Sequence, residues 1–121
     1  MNTILIADHD ECIRMIQKEV LTRSGYSVVG ETNSVDQVIE LFHELSPNIV
    51  ILGFHPSKFD GIKALKALKS INVNANVVMC SSYCAHSEVI QAISLGVKDW
   101  IPSLSYPERL LEGIKKALRT L

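Results

Sequence analysis

The feature that most constrains this chain is a fivefold alternation between short apolar runs and segments with the apolar period of a helix. Most runs are apolar at consecutive positions, which is typical of strands covered on both faces. Strands of that kind, each followed by a helix, belong to parallel sheets with helices on both sides. We therefore predict a (βα)5 fold of the α/β class, a doubly wound five-stranded parallel sheet. The predicted strands are residues 4–7, 26–30, 48–53, 76–80 and 100–101.

Turn and capping residues mark where the predicted helices begin and end. Asp10 is the predicted cap of the first helix, and glycines end the first and fourth helices at Ser24-Gly25 and Gly96. Ser34 and Gln37 have the three-residue spacing of a capping box at the start of the second helix. The apolar residues Ile13, Ile16 and Val20 lie on one face of the first predicted helix, and Val89, Ile90 and Ile93 lie on the fourth.

Length, charge and cysteine content exclude several classes of protein. The 121 residues suffice for one domain, residues 1–121, and 12 basic against 13 acidic residues leave a net charge of −1. This balance predicts no general binding to nucleic acid or anionic membranes, and no apolar stretch has the ~20 residues that cross a bilayer. Three cysteines without regular spacing predict no disulfide framework and a reduced, cytoplasmic protein.

Functional residues of such sheets gather in the loops that follow the carboxyl ends of the strands. Asp8 follows the first predicted strand directly, where a carboxylate can ligate a cation, while the third strand ends at Gly53. Ser81, after the fourth strand, can donate to an anion or simply cap a turn. The same edge holds soft-metal ligand types without any regular ligand spacing, so separate loop residues are the simpler interpretation of His9, His55, His86, Cys80 and Cys84.

Several motifs in this order resemble the receiver domains of bacterial two-component response regulators, above all the single-domain, CheY-like type. The first strand and helix read "ILIADHDECIR", the third helix begins at "FDGI", the fourth strand reads "VVMCSS", and "AISLGVKDWI" leads into the fifth. The resemblance covers nearly the whole chain. It implies a flavodoxin/CheY-like sheet with strand order 2-1-3-4-5.

The resemblance also implies where the chemistry of the family would lie. In the family two acids hold Mg²⁺, an aspartate accepts the phosphoryl group, and a hydroxyl and a lysine bind its oxygens. The matching positions in this chain are, in that order, Asp8, His9, Gly53, Ser81 and Ser103. Glycine cannot form an acyl phosphate, imidazole is a poor ligand for hard Mg²⁺, and Ser103 carries no charge. We therefore expect a degenerate phosphorylation pocket, no cofactor, and at best weak Mg²⁺ binding at Asp8 and His9.

The sequence favours a pseudo-receiver, which signals by protein contact and is not an enzyme. The resemblance implies an output face on helix four, strand five and helix five, with Trp100 at its switch position and a histidine kinase or chemotaxis component as the possible partner. One alternative is a working phosphorelay receiver with an unusual acceptor, Asp8, Ser57 or Asp60. Another is a transition-metal sensor built from Asp8, His9 and His55.

Overall fold

The computed structural model describes residues 2–83 and 86–119, in which strands and helices alternate five times. The elements are β1 (Thr3–Ala7), α1 (Glu11–Arg23), β2 (Ser27–Thr32), α2 (Val35–Leu45), β3 (Ile49–Gly53), α3 (Gly61–Ile71), β4 (Val77–Cys80), α4 (His86–Ser94), β5 (Trp100–Ile101) and α5 (Pro107–Arg119). The strands form one parallel sheet in the order β2-β1-β3-β4-β5, which confirms the predicted fold and strand order. None of the helices in this described part is both long and apolar enough to span a bilayer.

The central strands are buried on both faces, as their unbroken apolar runs predict. Successive side chains of a strand point to opposite faces of the sheet, so each strand supplies two cores. One face of β1 and β3 packs with α2 and α3 through Leu5, Ala7, Val50 and Leu52. The other face packs with α1 and α5 through Ile4, Ile6, Ile49 and Ile51. The sheet therefore holds its carboxyl edge rigidly between two layers of helices.

The apolar residues that the sequence places on the first and fourth helices are not the most buried ones. In α1 the buried residues are Gln17 and Leu21, whereas Ile16 is 53% exposed. In α4 Ala92 is buried, whereas Ile90 and Ile93 are 51% and 60% exposed. Tertiary packing, rather than the apolar character of single residues, decides which side of these short helices meets the sheet. The exposed isoleucines are consequently surface features of the molecule.

One predicted helix cap is confirmed and another is wrong. Asp10 accepts the backbone N–H groups of Cys12 and Ile13 at 2.9 and 3.3 Å and so caps α1. Ser34 precedes α2 but its side chain makes no capping bond. Thr32, at the end of β2, donates instead to Gln37 Oε1 at 2.6 Å and accepts the N–H of Ser34 at 3.0 Å. Thr32 therefore binds Ser34 and Gln37, the two residues that a capping box would have joined.

Gly61 allows α3 to begin directly against the end of β3. A Cβ atom at this position would overlap the carbonyl oxygen of Gly53 and lie 3.0 Å from Met79 Cε. Between these two glycines the chain makes a tight loop, closed by the N–H of His55 on the carbonyl of Phe59 at 2.9 Å. The close approach of α3 therefore fixes the loop of residues 54–60 over the carboxyl edge of the sheet.

Candidate functional site

The loops after β1, β3, β4 and β5 enclose a shallow pocket of about 340 Å³ at the carboxyl edge of the sheet. The lining includes Asp8, His9, Phe54, His55, Tyr83 and Ser103. The structure thus brings together most of the positions at which the resemblance implies phosphorylation chemistry. Gly53 lies beside Asp8, and Ser81 lies below the same loops.

Asp8 occupies the space that a side chain at position 53 would need. A Cβ atom placed on Gly53 would overlap Asp8 Oδ2 and lie 2.7 Å from Asp8 Cγ. The carboxylate is held there because Asp8 Oδ1 accepts the N–H of Asp10 at 2.9 Å, and Asp8 as a whole is only 5% exposed. Gly53 has no positive φ, so its backbone would accept another residue and only the missing space opposes a side chain.

Among residues 2–83 and 86–119, no lysine or arginine side chain forms an ion pair with the Asp8 carboxylate. Burial raises its pKa above the ordinary value, and the hydrogen bond from the Asp10 N–H and the neighbouring His9 ring only partly offset this rise. His9 Nδ1 lies 3.4 Å from Asp8 Oδ1, which is longer than a strong charge-assisted bond. Arg14 donates to the backbone carbonyl of Asp8 at 2.7 Å and to Glu31 at 3.0 Å, so its guanidinium is directed away from the carboxylate.

The side chains of this pocket do not fit the Mg²⁺ that the family implies. Mg²⁺ requires near-octahedral oxygen ligands, but position 53 offers no side chain and His9 offers nitrogen. The second acid of the loop, Asp10, already caps α1. Within residues 2–83 and 86–119, no three His, Cys, Asp or Glu side chains are grouped so as to hold a metal ion.

The transition-metal alternative finds no support in the ring contacts of His55. Its Nδ1 accepts the N–H groups of Ser57 and Lys58, each at 3.2 Å, and its Nε2 lies 3.1 Å from the hydroxyl oxygen of Tyr83. Both ring nitrogens therefore already have partners. Burial raises the pKa of the Cys80 thiol to about 11, which disfavours the thiolate form that binds a metal. Cys84 lies outside the described residues.

Three rings that line the pocket contact one another edge to face, and the sequence did not predict this arrangement. The rings of His9 and His55 meet edge to face with centroids 4.9 Å apart, and those of His55 and Tyr83 meet in the same way at 4.7 Å. Tyr83 was missed because a single tyrosine in a post-strand loop has no distinctive spacing. Only its place two residues after Ser81, in a loop already assigned to the site, could have indicated it.

Ser81 and Ser103, at the positions that match the family's hydroxyl and lysine, are hydrogen-bonded within the protein. Ser81 is 5% exposed, donates to the carbonyl of Phe54 at 2.7 Å, and accepts the N–H of Tyr83 at 3.0 Å. Ser103 Oγ accepts a long bond of 3.9 Å from the buried Cys80 thiol. Ser103 supplies no positive charge at the position where the family has lysine, although Lys58 from the loop after β3 also lines the pocket.

Trp100, the predicted switch position, lies on the edge strand β5 and points into the molecule. Its ring is half-buried, packs against the core beneath α2 and α3, and lies 5.9 Å from the ring of Phe54. The indole N–H is buried without a hydrogen-bond partner among the residues that the structure describes. The exposed apolar residues nearby are Ile90, Ile93, Leu104 and Tyr106, of which the last two are 79% and 82% exposed.

Comparisons with known proteins agree with this geometry. The family model of the response regulator receiver domain matches residues 4–115. The chemotaxis protein CheY of Bacillus subtilis is 39% identical over 115 residues, which cover 95% of this chain and 96% of that protein. The chemotaxis protein CheY of Thermotoga maritima is 34% identical over 113 residues, covering 93% and 94%. A solved CheX–CheY complex with BeF3 and Mg²⁺ from Borrelia burgdorferi has a similar fold, with a TM-score of 0.88 at 21% identity, covering 97% and 89%.

We predict that Gly53→Ala lowers the free energy of unfolding by about 1–3 kcal/mol, because the new methyl group competes with the Asp8 carboxylate for one space. In an Asp8→Ala background the same change should cost almost nothing. Urea unfolding of the four proteins of this double-mutant cycle measures the coupling. If the cost of Gly53→Ala is the same in both backgrounds, Asp8 does not occupy the space of the missing side chain.

Proposed function

We propose that this chain, which belongs to the family of response regulator receiver domains, signals by protein contact and is not phosphorylated at position 53. Its place among two-component and chemotaxis receivers follows from the family match and the CheY relatives. The observation that carries the proposal is the position of the Asp8 carboxylate, which fills the space of the side chain that Gly53 lacks. A phosphoryl acceptor at position 53 is therefore missing, and its space is not free.

The electrostatics of the pocket support the same proposal. A phosphoryl group brings negative charge into the pocket, and that charge needs a cation or several aligned donors. The family supplies Mg²⁺ and a lysine, whereas this chain has His9 and the neutral Ser103 at the corresponding positions. Asp8 is buried and its pKa is already raised by desolvation. Adding further negative charge beside it is unfavourable.

Protein contact is the remaining way to signal, and CheY-like domains do bind other signalling proteins, as in the CheX–CheY complex. We place the output surface on α4, β5 and α5, where Ile90 and Ile93 are exposed. Leu104 and Tyr106, in the loop that precedes α5, are also exposed apolar side chains. The core of a protein interface is more apolar than the rest of the surface. The partner that we propose is a histidine kinase or another chemotaxis component, and no enzymatic activity is required of this chain.

A second candidate function is phosphorylation of Asp8 itself. It is favoured by one observation, namely that the Asp8 carboxylate lies beside position 53, next to the space of the family's acceptor. The other alternative acceptors have less support. Asp60 uses Oδ1 to accept the N–H of Lys63 at 3.0 Å and so caps α3, and the Ser57 hydroxyl lies 3.4 Å from His55 Nδ1.

We predict that incubation with acetyl phosphate and Mg²⁺ gives no phosphorylated protein, because no carboxylate is present at position 53 and that at Asp8 is buried. Intact-mass spectrometry measures the outcome, and Asp8→Asn is the matched variant for the second candidate. A stable adduct of one phosphoryl group would overturn the first proposal. An adduct that disappears in Asp8→Asn would establish the second candidate instead.

We predict that Gly53→Asp alone does not restore efficient phosphorylation. The triple variant Gly53→Asp, His9→Asp, Ser103→Lys should react faster by roughly a hundredfold for each of the two further groups, because each donor to a developing charge commonly changes a rate by about that factor. The control is Gly53→Asp combined with His43→Asp and Ser70→Lys, which makes the same charge changes at exposed positions. Equal rates for the single and the triple variant would show that the lost charges do not limit the reaction.

We predict that the fluorescence of Trp100, the one tryptophan of the sequence, is unchanged by Mg²⁺ with or without beryllofluoride. A ligand can shift a conformational equilibrium only by binding the two states differently, and position 53 has no carboxylate to which the phosphoryl mimic could attach. The matched sample is the triple variant, which restores a carboxylate there. A saturable change in the unmodified protein would mean that its phosphoryl pocket still works.

A further inference from the structure

We infer that Tyr83 and His55 form a latch that joins the loop after β4 to the loop after β3 and holds the start of α4 in one position. The latch is the hydrogen bond between the Tyr83 hydroxyl and His55 Nε2, 3.1 Å long, together with the edge-to-face contact of the two rings. It deepens the proposed function and rests on it, because it supplies a means of fixing the output surface without a phosphoryl group.

The direction of the latch bond follows from the other side of the imidazole ring. His55 Nδ1 accepts backbone N–H groups from both Ser57 and Lys58 at 3.2 Å, so this nitrogen carries no proton. A neutral imidazole then has its proton on Nε2, which must donate to the Tyr83 oxygen. The backbone of residues 57 and 58 thereby selects the tautomer that can bind Tyr83. The His55 ring is in turn held by the loop that closes against Phe59.

A second hydrogen bond ties the same two loops together. The Ser81 hydroxyl donates to the carbonyl of Phe54 at 2.7 Å, and Ser81 Oγ also accepts the N–H of Tyr83 at 3.0 Å. The latch and this bond therefore join residues 54–55 to residues 81–83 at two neighbouring points. Because both residues of one loop are bonded to the other, neither loop can shift alone without breaking at least one of these bonds.

The two loops that these hydrogen bonds join both lead to the proposed output surface. Helix α4 begins at His86, three residues beyond Tyr83. Phe54, whose carbonyl accepts from Ser81, contacts the ring of Trp100 on β5. Tyr83 thus connects the pocket to α4, and Phe54 connects it to β5. We expect the latch to act as a fixed internal substitute for a bound group that would otherwise hold these loops together.

The central experiment compares Tyr83→Phe with the matched control Tyr26→Phe. Tyr83→Phe removes the latch hydroxyl and keeps the ring, and Tyr26 lies before β2 at the far edge of the sheet. Amide hydrogen exchange in α4 should become about fivefold faster in Tyr83→Phe, as expected for the loss of one net hydrogen bond. Exchange in α2, which does not touch the latch, should stay unchanged in both variants. Unaltered exchange in α4 of Tyr83→Phe, or an equal change in Tyr26→Phe, would overturn the latch.

A spectroscopic measurement tests the tautomer independently of stability. At a pH above the ordinary imidazole pKa of about 6.5, the ¹⁵N signals of His55 should show a proton on Nε2 and none on Nδ1. The opposite tautomer would rule out donation to Tyr83. Neither experiment contains a phosphoryl donor, so the latch and the proposed function can fail separately. If a phosphoryl adduct forms and Tyr83→Phe still accelerates amide exchange in α4, only the proposed function is overturned. If no adduct forms and Tyr83→Phe leaves exchange in α4 unchanged, only the latch is overturned.

Discussion

The Asp8 carboxylate and a side chain at position 53 cannot occupy the same space, and much of this pocket follows from that exclusion. With glycine at position 53, the carboxylate sits against the end of β3 and accepts the Asp10 N–H. The same glycine presents the carbonyl oxygen against which Gly61 starts α3, and no Cβ fits there either. Two glycines thus bring β1, β3 and α3 into closer contact than side chains would allow, and the loop between them is held over the pocket.

The rings above Asp8 show how a pocket without a charged ligand can still be ordered. His9, His55 and Tyr83 are joined by edge-to-face ring contacts and by the hydrogen bond between His55 and Tyr83. The pKa of His55 is lowered, first by desolvation and then by the nearby His9 and Lys58, which favours the neutral imidazole. A neutral ring can accept two backbone N–H groups at once, and an imidazolium cannot. The position of the His55 ring therefore depends on hydrogen bonds and ring contacts rather than on ion pairs.

The fold was predictable from the sequence because it depends on long apolar runs, whereas the details of the site depend on single contacts. The runs at 48–53 and 76–80 specify buried parallel strands whatever surrounds them, and Asp10 caps its own helix locally. The residues buried in α1 and α4 do not follow from apolar character alone, because packing against the sheet overrides the pattern at Ile16, Ile90 and Ile93. The capping box at Ser34 was wrong because Thr32 competes for Gln37. Asp8 and Gly53 can be singled out from the sequence, but that the Asp8 carboxylate fills the space of a side chain at position 53 is visible only in three dimensions.

The residues at positions 9, 53 and 103 suit one another, because a change of one alone toward the family's residue meets an unfavourable environment. Restoring a carboxylate at position 53 alone would place it against the buried Asp8, and like charges at close range raise both pKa values and oppose burial. Relief would require a cation, yet His9 does not suit Mg²⁺ and Ser103 brings no ammonium group. Restoring the lysine alone would place a charge beside the Cys80 thiol, while burial raises the pKa of Asp8 and so disfavours the carboxylate that would pair with it. Each single substitution toward the family's charged residues is therefore unfavourable. The glycine, the serine and the edge-to-face rings are compatible with one another as they stand.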